Sequence, residues 1–128
     1  LIFSAIGFSL NSATPKTSLN ESMDVPSLTV QDLQAKLQSG DNLLLLDVRE
    51  DSEVATCTLP DALHIPVGLI VTRLGELPKD QPIAVYCHHG GRSARITGYL
   101  LSQGFDAINV AGGIHAWATR IDPTMATY

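Results

Sequence analysis

Seven consecutive residues, Cys87-His88-His89-Gly90-Gly91-Arg92-Ser93, carry most of the chemistry this 128-residue chain offers. They follow Ile83 to Tyr86 (IAVY), an apolar run short enough to be a buried strand. After them, Ile96, Tyr99, Leu100 and Gln103 recur at helical spacing, so a helix is expected to start near Arg92 or Ser93. A cysteine therefore stands between the end of a strand and the first turn of a helix. Glycine permits positive φ and close backbone approach, so Gly90 and Gly91 let successive N–H groups turn inward as an anion nest. The free N–H groups of a helix N-terminus and the charge of Arg92 add to it. Such surroundings lower a thiol pKa below the ~8.5 of a free cysteine. They predict a nucleophilic Cys87 thiolate in a cradle that also accepts an anionic substrate, with Arg92 orienting the anion. Without the loop, the same cysteine reads as an inert core residue.

Other reactive side chains read more plainly. His88 and His89 are expected to line the pocket mouth and touch an anionic substrate. Adjacent side chains usually diverge and no H-x3-H spacing occurs, so no metal site is expected. Asp47 and Arg49 end an apolar run and, taken alone, read as part of a solvated charge cluster with Glu50, Asp51 and Glu53. Arg95, one turn into the helix, either adds positive potential or serves the surface. Cys57 reads as a small core residue, and Trp117 as a packing anchor. The two cysteines form no C-x-x-C pair, and no cofactor is required by any motif.

The elements that must position these residues follow from periodicity. Thr29 is a suitable N-cap, Val30, Leu33 and Leu37 share a helical face, and Gly40 stands where a C′ glycine ends a helix. Leu43 to Val48 reads as a strand covered on both sides, which belongs in a largely parallel sheet. Arg49 to Val54 suits one or two helical turns. Ala62 to Ile65 suits a short strand, Val67 to Leu74 a helix closed by Pro78, and Ala107 to Val110 another strand before a short helix carrying Trp117. Alternating strands and helices imply an α/β fold with helices on both faces of a mostly parallel sheet.

Composition narrows the classes. Apolar residues make up 45% and charged residues 16%, which excludes a disordered or coiled-coil chain. Thirteen acidic residues against eight basic ones, net −5, exclude a general nucleic-acid binder. No apolar stretch reaches the ~18–20 residues of a membrane span. Residues 1–25 read as a flexible tail or linker, with an apolar Leu1 to Leu10 that would suit a targeting remnant, and residues 26–128 as one domain. A monomer in the cytoplasm is expected.

Four motifs in order give a family resemblance: Asp47-Val48-Arg49 after a strand, Leu59-Pro60 with Ile65-Pro66, Cys87 to Ser93, and Gly112-Gly113-Ile114-His115-Ala116-Trp117. Over the stretch from Leu44 to Trp117 the chain resembles the rhodanese homology domain. The resemblance implies a five-stranded parallel sheet flanked by helices. It also implies a persulfide carried on Cys87 and passed from a small anionic sulfur donor, such as thiosulfate, or a protein persulfide to a thiol, cyanide or a sulfur-carrier protein. The positions His88, His89, Gly90, Gly91, Arg92 and Ser93 then match the substrate-binding loop, and the resemblance implies that Asp47 and Arg49 help hold that loop and the neighbouring backbone. The C-x4-R spacing resembles the sulfurtransferases, whereas phosphatase relatives have C-x5-R. Cys57-Thr58-Leu59-Pro60-Asp61-Ala62 departs from the usual Gly-His-Ile-Pro-Gly-Ala. It looks more like rhodanese domains fused to ubiquitin-activating-enzyme-like adenylyltransferases, as does the ending with Ile121-Asp122-Pro123 and Tyr128. The alternatives are a non-catalytic partner-binding module, against which the intact Cys87 argues, and a phosphatase or arsenate-type relative.

Overall fold

The computed structural model describes residues 24–128; the expected tail and its apolar Leu1 to Leu10 fall almost wholly outside them. Five parallel strands form one sheet in the order β1-β5-β4-β2-β3. They are β1 (Ser27–Leu28), β2 (Leu44–Asp47), β3 (Leu63–His64), β4 (Ile83–Tyr86) and β5 (Ala107–Val110). The helices are α1 (Val30–Gln38), α2 (Asp51–Thr56), α3 (Gly91–Ser102) and α4 (Gly113–Arg120). This is the expected α/β architecture, and the fifth strand is β1, whose two residues are too few to show a period. It is fixed instead by pairing: Asn109 N–H donates to Pro26 O and Ala111 N–H to Leu28 O, both at 2.9 Å.

Side chains alternate across a strand, and β4 divides them between two cores. Ile83, Val85 and Cys87 face one cluster with Leu46, Val48, Ile96 and Leu100. Ala84 and Tyr86 face the other, with Leu33, Leu45, Ile114 and Ala116. Thus α3 covers one face, and α1 with α4 the other. The alternation sends Cys87 to the side of α3, the helix whose first turn follows it in sequence.

Local signals behave as the sequence implies. Thr29 Oγ1 accepts from Asp32 N–H at 3.0 Å and caps α1. Gly40 (φ +73°) follows that helix, and Gly104 (φ +90°) follows α3. Phe105 packs back, its N–H donating to Leu100 O at 3.0 Å. The expected helix over Val67 to Leu74 is instead two 3₁₀ turns, Val67–Leu69 and Leu74–Glu76. Pro66 and Pro78 fence a segment holding Gly68, Gly75 and the β-branched Val71 and Thr72, all poor at sustaining a helix. Its apolar spacing is still used, since Ile70, Leu74 and Leu77 pack into the α3-side core.

Candidate active site

All strands being parallel, their carboxyl ends share one edge of the sheet, where open α/β folds bind ligands. Asp47 and Tyr86 are register partners at that edge. Cys87 follows Tyr86, Arg49 lies just beyond Asp47, and Gly112-Gly113 follows β5. The three segments that carry the sequence motifs therefore converge.

Cys87 is 1% exposed. Its Sγ accepts hydrogen bonds from Gly90 N–H at 3.1 Å, Ser93 N–H at 3.4 Å and the Ser93 hydroxyl at 3.3 Å. Gly90 achieves this at φ +112°, in the left-handed region where glycine is favoured. The cradle is held from behind by α4. Ile114 N–H donates to Cys87 O at 2.9 Å and His115 N–H to His88 O at 3.0 Å. These are first-turn donors with no partner inside their helix. Burial pushes the Cys87 thiol up, but the Ser93 hydroxyl, the Ser93 and Gly90 N–H groups and the Arg92 charge outweigh it and bring it below its ordinary value. The rate of alkylation of Cys87 against pH is therefore expected to have its midpoint below the ~8.5 of a free thiol. Ser93→Ala should raise that midpoint, and an unchanged value would remove the hydroxyl from the account. Ser93 has one proton and two further acceptors, Asn109 Oδ1 at 2.6 Å and Gly90 O at 3.2 Å. Asn109 thus competes with the sulfur for it, a role nothing in the sequence signals.

Asp47 and Arg49 are both fully buried and paired, Nη2 to Oδ2 at 2.7 Å and Nε to Oδ1 at 3.0 Å. Asp47 Oδ1 also accepts from Arg49 N–H at 3.0 Å, closing the turn after β2. Arg49 then reaches Cys57 O at 2.7 Å and the Tyr128 hydroxyl at 3.0 Å. Burial opposes the guanidinium charge, yet the bonds to Asp47 and Tyr128 hold its pKa well above the ordinary arginine value. A solvated cluster does not fit this burial; the pair braces the turn after β2 and the end of α2.

Arg92 is placed differently from the expectation of a fork free for an anion. Nη1 and Nη2 bind Glu53 Oε1 and Oε2 at 2.7 and 2.9 Å. The Tyr128 hydroxyl donates to Glu53 Oε2 at 2.8 Å. Arg92 therefore ties the first turn of α3 to α2, and through Tyr128 to Arg49, while its charge still bears on Cys87. The Arg92 hydrogen bonds, opposed by burial, hold the Glu53 carboxyl at about 2, against an ordinary 4.5. A carboxylate with a lowered folded pKa contributes stability that is complete above 4.5 and is lost as pH falls through about 2. The urea midpoint of the parent chain is expected to exceed that of Glu53→Gln near neutral pH, and the gap to close toward pH ~2. A gap that persists there would mean the carboxylate charge is not what matters. Glu53 and Tyr128 were legible only as members of a charge cluster and of a chain ending.

His88 and His89 do not diverge. The loop bends at these residues rather than extending, so their rings lie with centroids 4.0 Å apart, and His115 comes within 4.8 Å of His89. His88 stacks on Tyr128 at 3.9 Å. Burial and the neighbouring imidazoles lower the His88 pKa, with Glu53 opposing. His89 is exposed and Gly91 is exposed at the loop rim, with Arg95 exposed on α3 and directed to the surface. Cys57 is half-buried against the α4-side core, as is Trp117. A depression of about 280 Å³ borders the loop, lined by His89, Gly90, Gly91 and Asn109 among others.

Comparison with known proteins identifies the family. The family model described as rhodanese-like domain matches residues 29–120. A sulfurtransferase of Allochromatium vinosum is 38% identical over 103 residues, covering 80% of this chain and 96% of that protein. A probable adenylyltransferase/sulfurtransferase MoeZ of Mycobacterium tuberculosis is 37% identical over 105 residues, covering 80% of this chain but 27% of that protein. The crystal structure of a rhodanese-like domain protein from Staphylococcus aureus superposes with a TM-score of 0.71 at 35% identity, covering 80% and 98% of the two chains. With a family model spanning most of its length and a relative matched almost end to end, the chain belongs to the rhodanese-like domain family.

Proposed function

We propose that the protein is a sulfurtransferase that carries sulfane sulfur on Cys87. The observation that carries this reading is the convergence of Gly90 N–H, Ser93 N–H and the Ser93 hydroxyl on one sulfur atom. Donors fixed before reaction stabilise charge without the cost of reorganising solvent. With thiosulfate as donor, the Cys87 thiolate attacks the outer sulfur. A new S–S bond forms, the donor S–S bond breaks, and sulfite leaves with the bonding electron pair. An acceptor thiolate or cyanide then attacks the terminal sulfur of the persulfide, and the Cys87 thiolate departs as it began. No electrons are gained or lost overall, and no metal or organic cofactor enters these steps.

Recognition of the donor rests on backbone groups more than on side-chain charge. Arg92 is engaged by Glu53, so its contribution to an incoming oxyanion is potential rather than a bidentate contact. The small depression at the loop rim suits a compact anion. A sulfur-carrier protein or a thiol protein is the acceptor we favour. A putative sulfur carrier protein of this likeness in Bacillus subtilis and the MoeZ relative support that class of partner. The test is intact mass after incubation with thiosulfate. A gain of one sulfur atom confined to Cys87, and removed by cyanide, is the expected result. No gain with thiosulfate or with a persulfide donor would leave a partner-binding module instead.

A further inference from the structure

Three of the chain's four histidines gather at one place. His88 and His89 come from the Cys87 loop and His115 from the first turn of α4. One ring nitrogen from each lies within 4.8 Å of the other two. The two segments are not loosely apposed, since His115 N–H is bonded to His88 O at 3.0 Å. His115 Nδ1 is buried and has no hydrogen-bond partner among the described residues. A buried ring nitrogen left unpaired costs free energy unless something else satisfies it. The fourth histidine, His64, shows the contrast: its Nε2 lies 2.6 Å from Arg49 O.

We propose that His88, His89 and His115 form a binding site for a first-row divalent ion of the zinc class at the rim of the Cys87 loop. Imidazole is the ligand type that suits zinc, nickel and copper, and three histidines with one open position make a tetrahedral set. Ligands at about 2.0–2.1 Å place the nitrogens roughly 3.3 Å apart. Each ring then has to move by about 1 Å, within the reach of side-chain rotation. His89 is exposed and free to do so, whereas His115 is anchored on α4. The Glu53 carboxylate is held by Arg92 and Tyr128, which leaves the imidazoles as the donors. His89 also lines the depression at the loop rim, but the sulfur-transfer steps described above do not require the ion. Its occupant would set a fixed divalent charge at the entrance to the cradle, with a coordination position open to water or an anion.

The experiment is a titration of the untagged full chain with zinc ion in competition with a chromophoric chelator. It is run on the parent and on His89→Ala, His115→Gln and Cys87→Ser. One ion per chain is expected, weakened at least about tenfold by either histidine change and within about threefold of the parent in Cys87→Ser. Cobalt substituted for zinc should give a tetrahedral d–d spectrum with no sulfur-to-metal charge-transfer band. Because His89 is exposed, its alanine variant keeps the proposal testable even if His115→Gln disturbs α4. Absence of stoichiometric binding, binding that survives both histidine changes, or binding abolished by Cys87→Ser would each overturn it. None of these readouts uses sulfur transfer, so failure here and failure of the sulfurtransferase reading are told apart.

Discussion

Cys87→Ser is expected to lower thiosulfate-to-cyanide sulfur transfer by at least about three orders of magnitude while the domain stays folded. The persulfide needs a sulfur nucleophile that ionises near neutral pH, and a serine hydroxyl does not. The cradle is also built for the larger atom. Its N–H donors stand 3.1 and 3.4 Å from Sγ, and a hydroxyl oxygen on the shorter C–O bond falls farther from both. Packing loses little, since the side chains are nearly the same shape and hydrogen-bond donors surround the site. A change in unfolding free energy of about 1 kcal/mol or less is expected. Thiocyanate formation and thermal unfolding of the same preparation check the two halves. Cys57→Ser should keep most activity, because Cys57 packs against the opposite core with its sulfur 4.0 Å from Arg49 Nη1. Equal inactivation by the two changes would replace the single-thiol scheme with a relay.

Gly113→Ala is expected to damage both activity and stability. A Cβ at this position would lie 2.5 Å from the carbonyl oxygens of Cys87 and His88 and 2.6 Å from the His88 carbonyl carbon. Those atoms are backbone and cannot rotate away. The residue also sits at φ +61°, where a side chain costs about 1–2 kcal/mol. The helix must therefore withdraw from the loop, and the bonds from Ile114 and His115 to the loop carbonyls lengthen. A displacement of about 1 Å at preorganised donors costs roughly two orders of magnitude in rate. Strain and lost contacts together should lower stability by about 2–4 kcal/mol, which is several degrees or more in Tm for a domain this size. Gly75→Ala is the control, because a Cβ there meets nothing within 4 Å. If both variants behave alike, the close approach of α4 to the loop is not what fixes the cradle.

The glycine pair also shows what the sequence could and could not convey. Gly112-Gly113 was legible as a motif, but its purpose lies in the approach of two backbones from distant parts of the chain. No local pattern encodes that distance. The strand β4 and the thiol after it are legible because a short, wholly apolar run and loop glycines are local signals. Val67 to Leu74 reads as one helix in sequence because apolar spacing is shared by a helix and by 3₁₀ turns packed on the same core. The Arg92–Glu53 pair spans 39 residues, and a charged fork looks the same in sequence whether it faces a substrate or a carboxylate. His88 and His89 were expected to diverge on the rule for extended chain, which fails where the loop bends. Asn109 alternates onto the α3 side of β5, and only the folded sheet brings its amide to Ser93.

The two amides at the head of α4 have a spectroscopic use. Ile114 and His115 donate to the carbonyls of Cys87 and His88, and those peptide groups belong to the loop that surrounds the sulfur. When sulfur is loaded, the negative charge moves outward by the length of one S–S bond, about 2.05 Å. The field of that charge on the neighbouring Cys87–His88 and His88–His89 peptides changes, and the amide protons of Ile114 and His115 should move together in a nitrogen–proton correlation spectrum. Neither proton touches the thiol or any substrate. The pair therefore offers a gauge of charging state that can be followed during turnover without labelling the cysteine.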